Sequence, residues 1–259
     1  MDLGIKGRSA IVCASSKGLG RACATELARA GARVAINGRD PELLERVRGE
    51  IAAETGAEVI AIIGDMSTPE GRAALLGAFP EVDILVNNNG GPPPRDFRAV
   101  DHDAMLAGLE ANMIAPIALI QSVIDGMIER RFGRIVNITS GAVKMPMAGL
   151  DLSSGARAGL TGFVAGVARQ VVHANVTINN LLPGAFDTDR IASFVAAQAE
   201  RTGRDPGEIR AERERGIPAK RLGDPAEFGA ACAFLCSARA GYITGQSLLI
   251  DGGAFPGIL

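Results

Sequence analysis

The stretch from Ser9 to Ala30 constrains the fold more than any other part of the chain. Residues Ser9–Ser15 read SAIVCAS, a short apolar run of the kind that forms a buried strand. Gly18 and Gly20 follow closely, and the residues after Gly20 are typical of a helix. In such a unit, glycine lets the backbone approach a phosphate, and the helix N-terminus supplies N–H donors. The stretch therefore predicts the first unit of a dinucleotide-binding α/β sheet.

Further strand-like runs alternate with helix-forming segments along the chain. Pro41–Thr55 is one such helical segment, because its apolar residues recur at helical spacing and proline occupies its first turn. The 259 residues are enough to bury one large core, and we find neither an internal repeat nor a linker. We therefore expect a single doubly wound α/β domain over residues 1–259.

Composition argues against several classes of partner. The formal net charge is −2, so no strong positive field favours nucleic acid or an anionic membrane. The N-terminus has no apolar signal core, and we expect no apolar run as long as the roughly 18 residues of a membrane span. Cys13, Cys23, Cys232 and Cys236 do not make a disulfide framework. We expect buried thiols, no metal site and a cytoplasmic protein with no nucleic-acid or membrane partner.

The stretch Ile135–Gly159 (IVNITSGAVKMPMAGLDLSSGARAG) resembles the catalytic strand–loop–helix of the short-chain dehydrogenase/reductase family. In that family a serine ends the strand, a tyrosine follows thirteen residues later, and a lysine lies four residues further on. Ser140 matches the serine, but Ser153 stands at the tyrosine position and Arg157 at the lysine position. The Ala158–Leu160 ending matches the family and secures this alignment. The chain thus resembles 3-oxoacyl-(acyl-carrier-protein) reductases in scaffold, with Ser/Arg in place of the catalytic Tyr/Lys.

The resemblance extends over nearly the whole chain and implies the other parts of the site. The glycine turn of the family has its threonine and first glycine replaced by Cys13 and Ala14. Asn112 matches the helix asparagine that anchors a proton-relay water in the family. By the same resemblance, the residues expected to contact the cofactor are Ser15, Ser16, Lys17, Gly18, Leu19, Gly20, Arg39, Asp65, Met66, Asn88, Gly90, Pro183, Gly184 and Thr188.

Two basic residues favour NADP(H) over NAD(H). A fold of this type that prefers NAD carries an acidic residue at the end of the second strand, bonded to the ribose hydroxyls. Here Gly38 occupies that place and Arg39 follows it, while Lys17 precedes a motif glycine. Arginine and lysine both bind phosphate, so the pattern fits a 2′-phosphate. The alternative is that Arg39 only caps or solvates its loop.

The two substitutions decide whether such a site can catalyse. A positioned general acid contributes roughly 10²–10⁴ in rate. The hydroxyl of Ser153 is less acidic than a phenol, and the ordinary pKa of Arg157 is too high for proton shuttling. The only tyrosine, Tyr242, lies in the closing turn. A water positioned by Ser140 and Ser153 is one replacement donor, and Lys144 is another.

Three functions remain open at this point. We favour an NADP(H)-dependent oxidoreductase acting on a small-molecule carbonyl or alcohol. The alternatives are a catalytically inactive nucleotide- or ligand-binding homologue and a partner subunit of a hetero-oligomer. The resemblance implies a mostly parallel sheet of about seven strands with helices on both faces, and a homotetramer or homodimer. It also implies a variable substrate-lid segment at 189–221, and Gly91–Pro94 predicts a stiff loop near the substrate entrance.

Overall fold

The computed structural model describes residues 1–92 and 94–258. Within these ranges seven strands form one sheet: β1 (Ser9–Val12), β2 (Arg33–Gly38), β3 (Val59–Ile63), β4 (Ile84–Asn87), β5 (Gly133–Ile138), β6 (Val176–Pro183) and β7 (Ser247–Ile250). Their order across the sheet is β3-β2-β1-β4-β5-β6-β7, and every neighbouring pair is parallel. The predicted doubly wound fold is confirmed.

Helices cover both faces of the sheet. They are α1 (Gly18–Arg29), α2 (Pro41–Thr55), α3 (Pro69–Leu76), α4 (His102–Leu109), α5 (Ala115–Glu129), α6 (Asp151–Val171), α7 (Asp189–Thr202), α8 (Pro206–Gly216) and α9 (Pro225–Leu235). The segment predicted as a substrate lid, 189–221, contains α7 and α8.

Apolar residues fill a core on each face. Successive side chains of a strand point to opposite faces. Val12 therefore packs in the core that contains residues of α1, α2 and α9, whereas its neighbour Ile11 packs in the core that contains residues of α3, α5 and α6. Burial on both faces is typical of parallel sheets and explains why the strands read as continuous apolar runs.

The chain reverses its direction of winding at β1. The sheet is extended from β1 to β2 on one side and from β1 to β4 on the other. At such a switch point the loops that follow the two central strands diverge and leave a crevice at the carboxyl edge of the sheet. The fold therefore brings the glycine turn after β1 and the Asn88–Gly91 loop after β4 to the same crevice.

A row of asparagine side chains crosses the buried sheet in register. Asn87, Asn137 and Asn180 are aligned partners on β4, β5 and β6. Asn87 Nδ2 donates to Asn137 Oδ1 at 2.9 Å, and Asn137 Nδ2 donates to Asn180 Oδ1 at 3.1 Å. Asn180 Nδ2 then donates to Ser247 Oγ on β7 at 3.2 Å. A one-residue slip of any of these strands would leave buried amides unpaired, so this row, which we call the amide row, fixes the register of four strands.

The long helical region before β5 is distorted earlier than the sequence predicts. In the helical region predicted over Asp101–Arg131, Pro116 predicts an interruption. The backbone instead stays helical through Pro116, and a π turn at Glu110–Ile114 precedes it. The Ala115 N–H donates to the Glu110 carbonyl, five residues back. In this hydrogen-bond register the N–H of residue 116 would donate to the Ala111 carbonyl, but proline has no N–H. Asn89 Nδ2 donates to that carbonyl instead, at 3.2 Å.

The same region, His102–Glu129, is the one stretch in the described ranges long and apolar enough to cross a membrane, with 28 residues and a mean hydropathy of 1.5. The expectation that the chain contains no apolar stretch of this length was therefore wrong. The apolar residues of this stretch are explained by packing against the sheet, because Leu119, Ile120 and Met127 are buried in the core. A core helix passes the same test of length and composition, so this stretch is weak evidence for a membrane.

Candidate active site

Hydrogen bonds from neighbouring strands hold the glycine turn after β1. Ser15 Oγ donates to the Val12 carbonyl at 2.7 Å and accepts from the Asn37 N–H at 2.9 Å. Asn88 Nδ2 donates to the Ala14 carbonyl at 3.0 Å. Ser15 is fully buried, so its hydroxyl shapes the turn and does not face the crevice.

The turn presents the N-terminus of α1 to the crevice. A Cβ at Gly20 would lie 2.4 Å from the Ala14 carbonyl oxygen, so only glycine lets the helix pack this closely. Gly18 has a φ of 58°, which favours glycine. Lys17 caps the helix without a side-chain hydrogen bond to its first turn. The first N–H groups of α1 are therefore suited to receive a phosphate.

The end of β2 leaves little space for a side chain at position 38. A Cβ at Gly38 would already lie 3.1 Å from Ser16 Cβ and 3.3 Å from Leu44 Cδ1. Arg39 is 81% exposed, and its Nη1 lies 3.7 Å from Asp65 Oδ2. Two exposed cations, Lys17 and Arg39, thus stand at this end of the crevice, as a 2′-phosphate requires.

Met66 is, like Ser15, a predicted cofactor residue with a buried side chain. Its side chain is 2% exposed and lies in the apolar core with Leu75 and Phe79. Its carbonyl accepts a hydrogen bond from Arg72 Nη1 at 3.1 Å. The side chain therefore does not face the crevice, and any contact with a cofactor is limited to the backbone.

The loop after β6 faces the glycine turn. The Gly184 N–H donates to the Ile250 carbonyl at 2.8 Å, and a Cβ at Gly184 would lie 2.6 Å from Asp251 Cβ. Thr188 Cγ2 lies 3.8 Å from a Cβ built on Gly18. Two segments far apart in the sequence, both predicted as cofactor-binding, thus lie next to each other at the carboxyl edge of the sheet.

Ser153 and Arg157 lie one turn apart on α6, and their side chains touch. Arg157 Nη1 donates to Ser153 Oγ, and its Nη2 donates to the Asn89 carbonyl at 3.3 Å. Ser153 is 5% exposed and Arg157 is 8% exposed. Ser140, just after β5, accepts from the Ala142 N–H at 3.1 Å. This serine also lies at the carboxyl edge of the sheet.

Lys144 is directed to the C-terminal segment. Its Nζ lies 6.0 Å from the ring centroid of Phe255. This contact gives the lysine a structural role on the loop after Ser140 and offers no support for its use as a proton donor. Pro93, in the proline-rich loop predicted near the substrate entrance, lies outside the described residues.

The surroundings of Arg157 disfavour its positive charge. Burial lowers the pKa of Arg157 to about 10, and repulsion from the Arg190 guanidinium adds to the effect. Partial burial lowers the pKa of Arg190 as well, although this residue remains exposed to solvent over more than a third of its surface. A pKa of about 10 keeps Arg157 protonated at neutral pH, yet it equals the ordinary pKa of a tyrosine, which is also about 10.

A cavity of about 10 Å³, the size of one water molecule, lies beside Arg157. Its lining residues are Asn87, Asn88, Asn89, Ala111, Asn112, Pro116, Ile138, Arg157 and Leu160. Asn87 Oδ1 is buried and accepts no hydrogen bond from the described residues. The cavity thus brings Asn112 and Arg157 together, as predicted, and adds an acceptor that the sequence did not indicate.

The chain matches the family model described as enoyl-(acyl carrier protein) reductase over residues 13–254. The NADPH-dependent reductase BacG of Bacillus subtilis (strain 168) is 33% identical over 256 residues, which cover 97% of this chain and 99% of BacG. The 3-oxoacyl-(acyl-carrier-protein) reductase FabG of Vibrio cholerae is 33% identical over 266 residues, covering 98% and 99%. The chain belongs to the short-chain dehydrogenase/reductase family.

This short-chain dehydrogenase/reductase also resembles solved structures along its whole length. L-sorbose reductase from Gluconobacter frateurii, solved in complex with NADPH and L-sorbose, is similar with a TM-score of 0.94, 27% identity and 100% coverage of both chains. The family assignment and the fold are therefore confirmed together. The roles of individual residues remain predictions.

Three residues near the site were not among those predicted for it, although the sequence Asn87–Gly90 resembles the Asn-Asn-Ala-Gly motif of the family, with Asn89 in place of the alanine. Asn87 and Asn89 belong to the Asn-Asn-Asn-Gly motif, but their partners on β5 and in the π turn are visible only in the fold. Arg190 lies two residues after Thr188, and a cation so close to a predicted cofactor loop was the only signal for it.

Proposed function

We propose that this protein is an NADP(H)-dependent oxidoreductase that interconverts a small carbonyl compound and its alcohol. The observation that carries the proposal is that the glycine turn and the Pro183–Thr188 loop lie next to each other at the carboxyl edge of the sheet, near two exposed cations, Lys17 and Arg39. The close approach at Gly20 and the open N-terminus of α1 fit a dinucleotide. We assign the cofactor to these segments.

We also propose that one domain spans residues 1–259, with 189–221 folding over the substrate, and that the protein assembles as a homotetramer or homodimer. The family resemblance supports these assignments, together with α7 and α8 lying next to the Pro183–Thr188 loop.

We propose that side chains on α6 and in the loop after β5 position the group that donates the proton. Bound NADPH would supply a hydride to the carbonyl carbon. Ser140 would donate a hydrogen bond to the carbonyl oxygen, and Arg157 would hold ribose hydroxyls. Arg157 Nη1 donates to Ser153 Oγ, which leaves the Ser153 hydroxyl able to position a water by donating a hydrogen bond to it. A water held by Ser140 and Ser153 would give its proton to the substrate oxygen after hydride transfer, and the hydroxide left behind would be reprotonated from solvent. The cavity beside Asn112 and Arg157 has room for one further water of this relay.

The experiment has two steps. NADPH and NADH are titrated calorimetrically into the protein, and NADPH oxidation is then followed with a panel of aldehydes and ketones. We expect tighter binding of NADPH than of NADH, and turnover that falls at least about tenfold in Ser140→Ala. Binding of NADPH with no turnover above buffer would remove the enzymatic part of the proposal.

A second candidate function is a nucleotide-binding homologue without catalysis. The buried contact of Ser153 with Arg157 favours it, because both side chains are engaged with each other. In that case the double variant Ser153→Tyr, Arg157→Lys should reduce ketones that the natural chain does not. Equal activity of the two proteins would exclude this candidate. No contact among the described residues favours the hetero-oligomer alternative.

A further inference from the structure

Two arginine side chains converge beside the loop after β4. A Cβ built on Gly91 would lie 3.0 Å from Arg190 Nη2, 3.1 Å from Arg190 Nη1 and 3.2 Å from Arg157 Nη1. Arg157 comes from the middle of α6, and Arg190 comes from the first turn of α7. Two separate elements therefore bring guanidinium groups to one point, and the missing side chain of Gly91 leaves room for both.

Among the residues that the structure describes, no acidic side chain compensates for this pair of charges. In residues 1–92 and 94–258, no carboxylate lies within 4 Å of either guanidinium. The nearby Asp187 is paired with Arg210, at 2.9 and 2.7 Å. Arg157 donates only to neutral oxygens, and Arg190 contacts the Phe194 ring at 5.5 Å.

An uncompensated cationic pair of this kind is costly to the folded chain. Arg157 is 8% exposed, so water screens its charge poorly. Arg190 donates no hydrogen bond to any described residue, so its planar fork of donors is available to a ligand. Such forks bind carboxylates through two parallel hydrogen bonds. The geometry thus fits an anionic group that lies between the two arginines.

We propose that Arg157 and Arg190 form a subsite for the carboxylate of an oxo-acid substrate. This inference rests on the proposed reductase function and names its substrate class. Arg157 lies one turn after Ser153 on α6 and contacts it, so a carboxylate held here is close to the carbonyl that accepts the proton. In a short 2-oxo or 3-oxo acid the carboxylate and the carbonyl are adjacent or separated by one carbon atom, so the two groups can occupy neighbouring positions of this kind.

The phosphates of the cofactor are the competing occupant. Thr188, the loop residue that faces the glycine turn, lies near Gly18. Arg190 lies instead against Gly91 and Arg157, on the side of β4 and α6. The N-terminus of α1, with Lys17 and Arg39, offers donors of its own to the cofactor phosphates, so these do not require the arginine pair. The substrate carboxylate is therefore the occupant that the geometry favours.

The kinetic test compares each acid with its uncharged ester. The value of kcat/KM is measured for acetoacetate and methyl acetoacetate, and for pyruvate and methyl pyruvate, with NADPH. The natural chain should prefer the acid of at least one pair by about 10- to 100-fold, the effect of hydrogen bonds to a charged group. Arg190→Gln should lower this acid-to-ester ratio at least about tenfold, and Arg190→Lys should retain part of it. The matched control Arg201→Gln, on the last turn of the same helix, should leave the ratio unchanged.

A binding measurement separates failure of the subsite from failure of the proposed function. Acetoacetate is titrated calorimetrically into the protein saturated with NADP⁺, where no reduction can occur. The affinity should fall at least about tenfold in Arg190→Gln. This result without any turnover would keep the subsite and reject the reductase. Turnover of neutral ketones with equal acetoacetate affinity in both proteins would reject the subsite and keep the reductase. A weaker NADPH affinity in Arg190→Gln with an unchanged acid-to-ester ratio would assign Arg190 to the cofactor and overturn the inference.

Discussion

At the scale of single residues, Ala14 stores backbone strain in the glycine turn. Its φ of 43° lies in the left-handed region, where a Cβ costs roughly 1–2 kcal/mol. Two side chains hold the residue in place: Asn37 Oδ1 accepts from its N–H at 3.2 Å, and Asn88 Nδ2 donates to its carbonyl. The strained alanine replaces the first glycine of the family motif, so the turn keeps its shape at a cost in stability.

Ala14→Gly should therefore stabilise the protein. We expect the free energy of unfolding to rise by about 0.5–1 kcal/mol, because the relief of strain exceeds the entropic cost of glycine. Urea denaturation measures the change. The matched control Ala22→Gly, inside α1, should lose up to about 1 kcal/mol because glycine weakens a regular helix. A loss of stability in both variants would contradict the strain.

The repulsion between Arg157 and Arg190 should be visible in the pH dependence of stability. The folded pKa of Arg157 is lowered to about 10, by burial first and then by Arg190. Below that pH both groups are charged, so Arg190→Gln should raise the free energy of unfolding by about 0.5 kcal/mol, a small value because Arg190 is exposed and screened.

This gain should disappear as the pH rises through about 10, since neutral Arg157 no longer repels Arg190. Thermal melting of the natural chain and the variant at the same pH, in low and high salt, measures the difference. A gain in the free energy of unfolding that persists above that pH, or that does not change with salt concentration, would indicate a cause other than charge.

At the scale of secondary-structure elements, the amide row joins β4, β5, β6 and β7. Asn137→Leu should cost about 2–4 kcal/mol, because it leaves the Asn87 donor and the Asn180 acceptor unpaired in the buried sheet. Urea denaturation gives the value. Ile135→Leu, a change of shape on the same strand, should cost less than about 1.5 kcal/mol. Equal losses would show that packing and not hydrogen bonding decides the effect.

The π turn couples two residues that are distant in sequence, Asn89 and Pro116, through the Ala111 carbonyl. Asn89→Ala should cost about 1–2 kcal/mol, because the Ala111 carbonyl then has no donor. Pro116→Ala restores the backbone N–H of residue 116, which can donate to the Ala111 carbonyl. The double variant Asn89→Ala, Pro116→Ala should therefore recover part of the lost stability. A double-mutant cycle measures the coupling between the two sites. A coupling energy of zero would mean that the missing proline N–H is not the reason for asparagine at position 89.

The first and last residues of a helix or strand can be predicted from the sequence where capping or turn residues mark them. Helix α2 was predicted at Pro41–Thr55 and is found there, because Asp40 caps its start and Gly56 ends it with a φ of 70°. The first strand was predicted to run to Ser15 but ends at Val12, since the buried hydroxyl of Ser15 bends the chain back to Val12. The π turn and the arginine pair escaped prediction because each depends on segments that meet only in the folded chain.

At the scale of the whole molecule, the crevice is assembled from loops after β1, β2, β4 and β6. A dinucleotide that joins these loops should stabilise the entire fold, by about 2.7 kcal/mol at a hundred times its Kd. NADPH should therefore raise the melting temperature more than NADH does. Arg39→Gln should reduce the NADPH shift, whereas Arg48→Gln, on the exposed side of α2, should not. An equal shift in both variants would remove Arg39 from the cofactor site.

The amide row also has a direction. Each Nδ2 donates toward β7, so each side-chain carbonyl points back toward β4. Three aligned amide dipoles therefore have their negative end at Asn87 Oδ1, in the wall of the cavity that Arg157 shares. The interior of the sheet thereby places partial negative charge next to a buried cation that has no carboxylate partner among the described residues. A set of bonds that fixes strand register also lowers the electrostatic cost of burying Arg157 in the wall of this cavity.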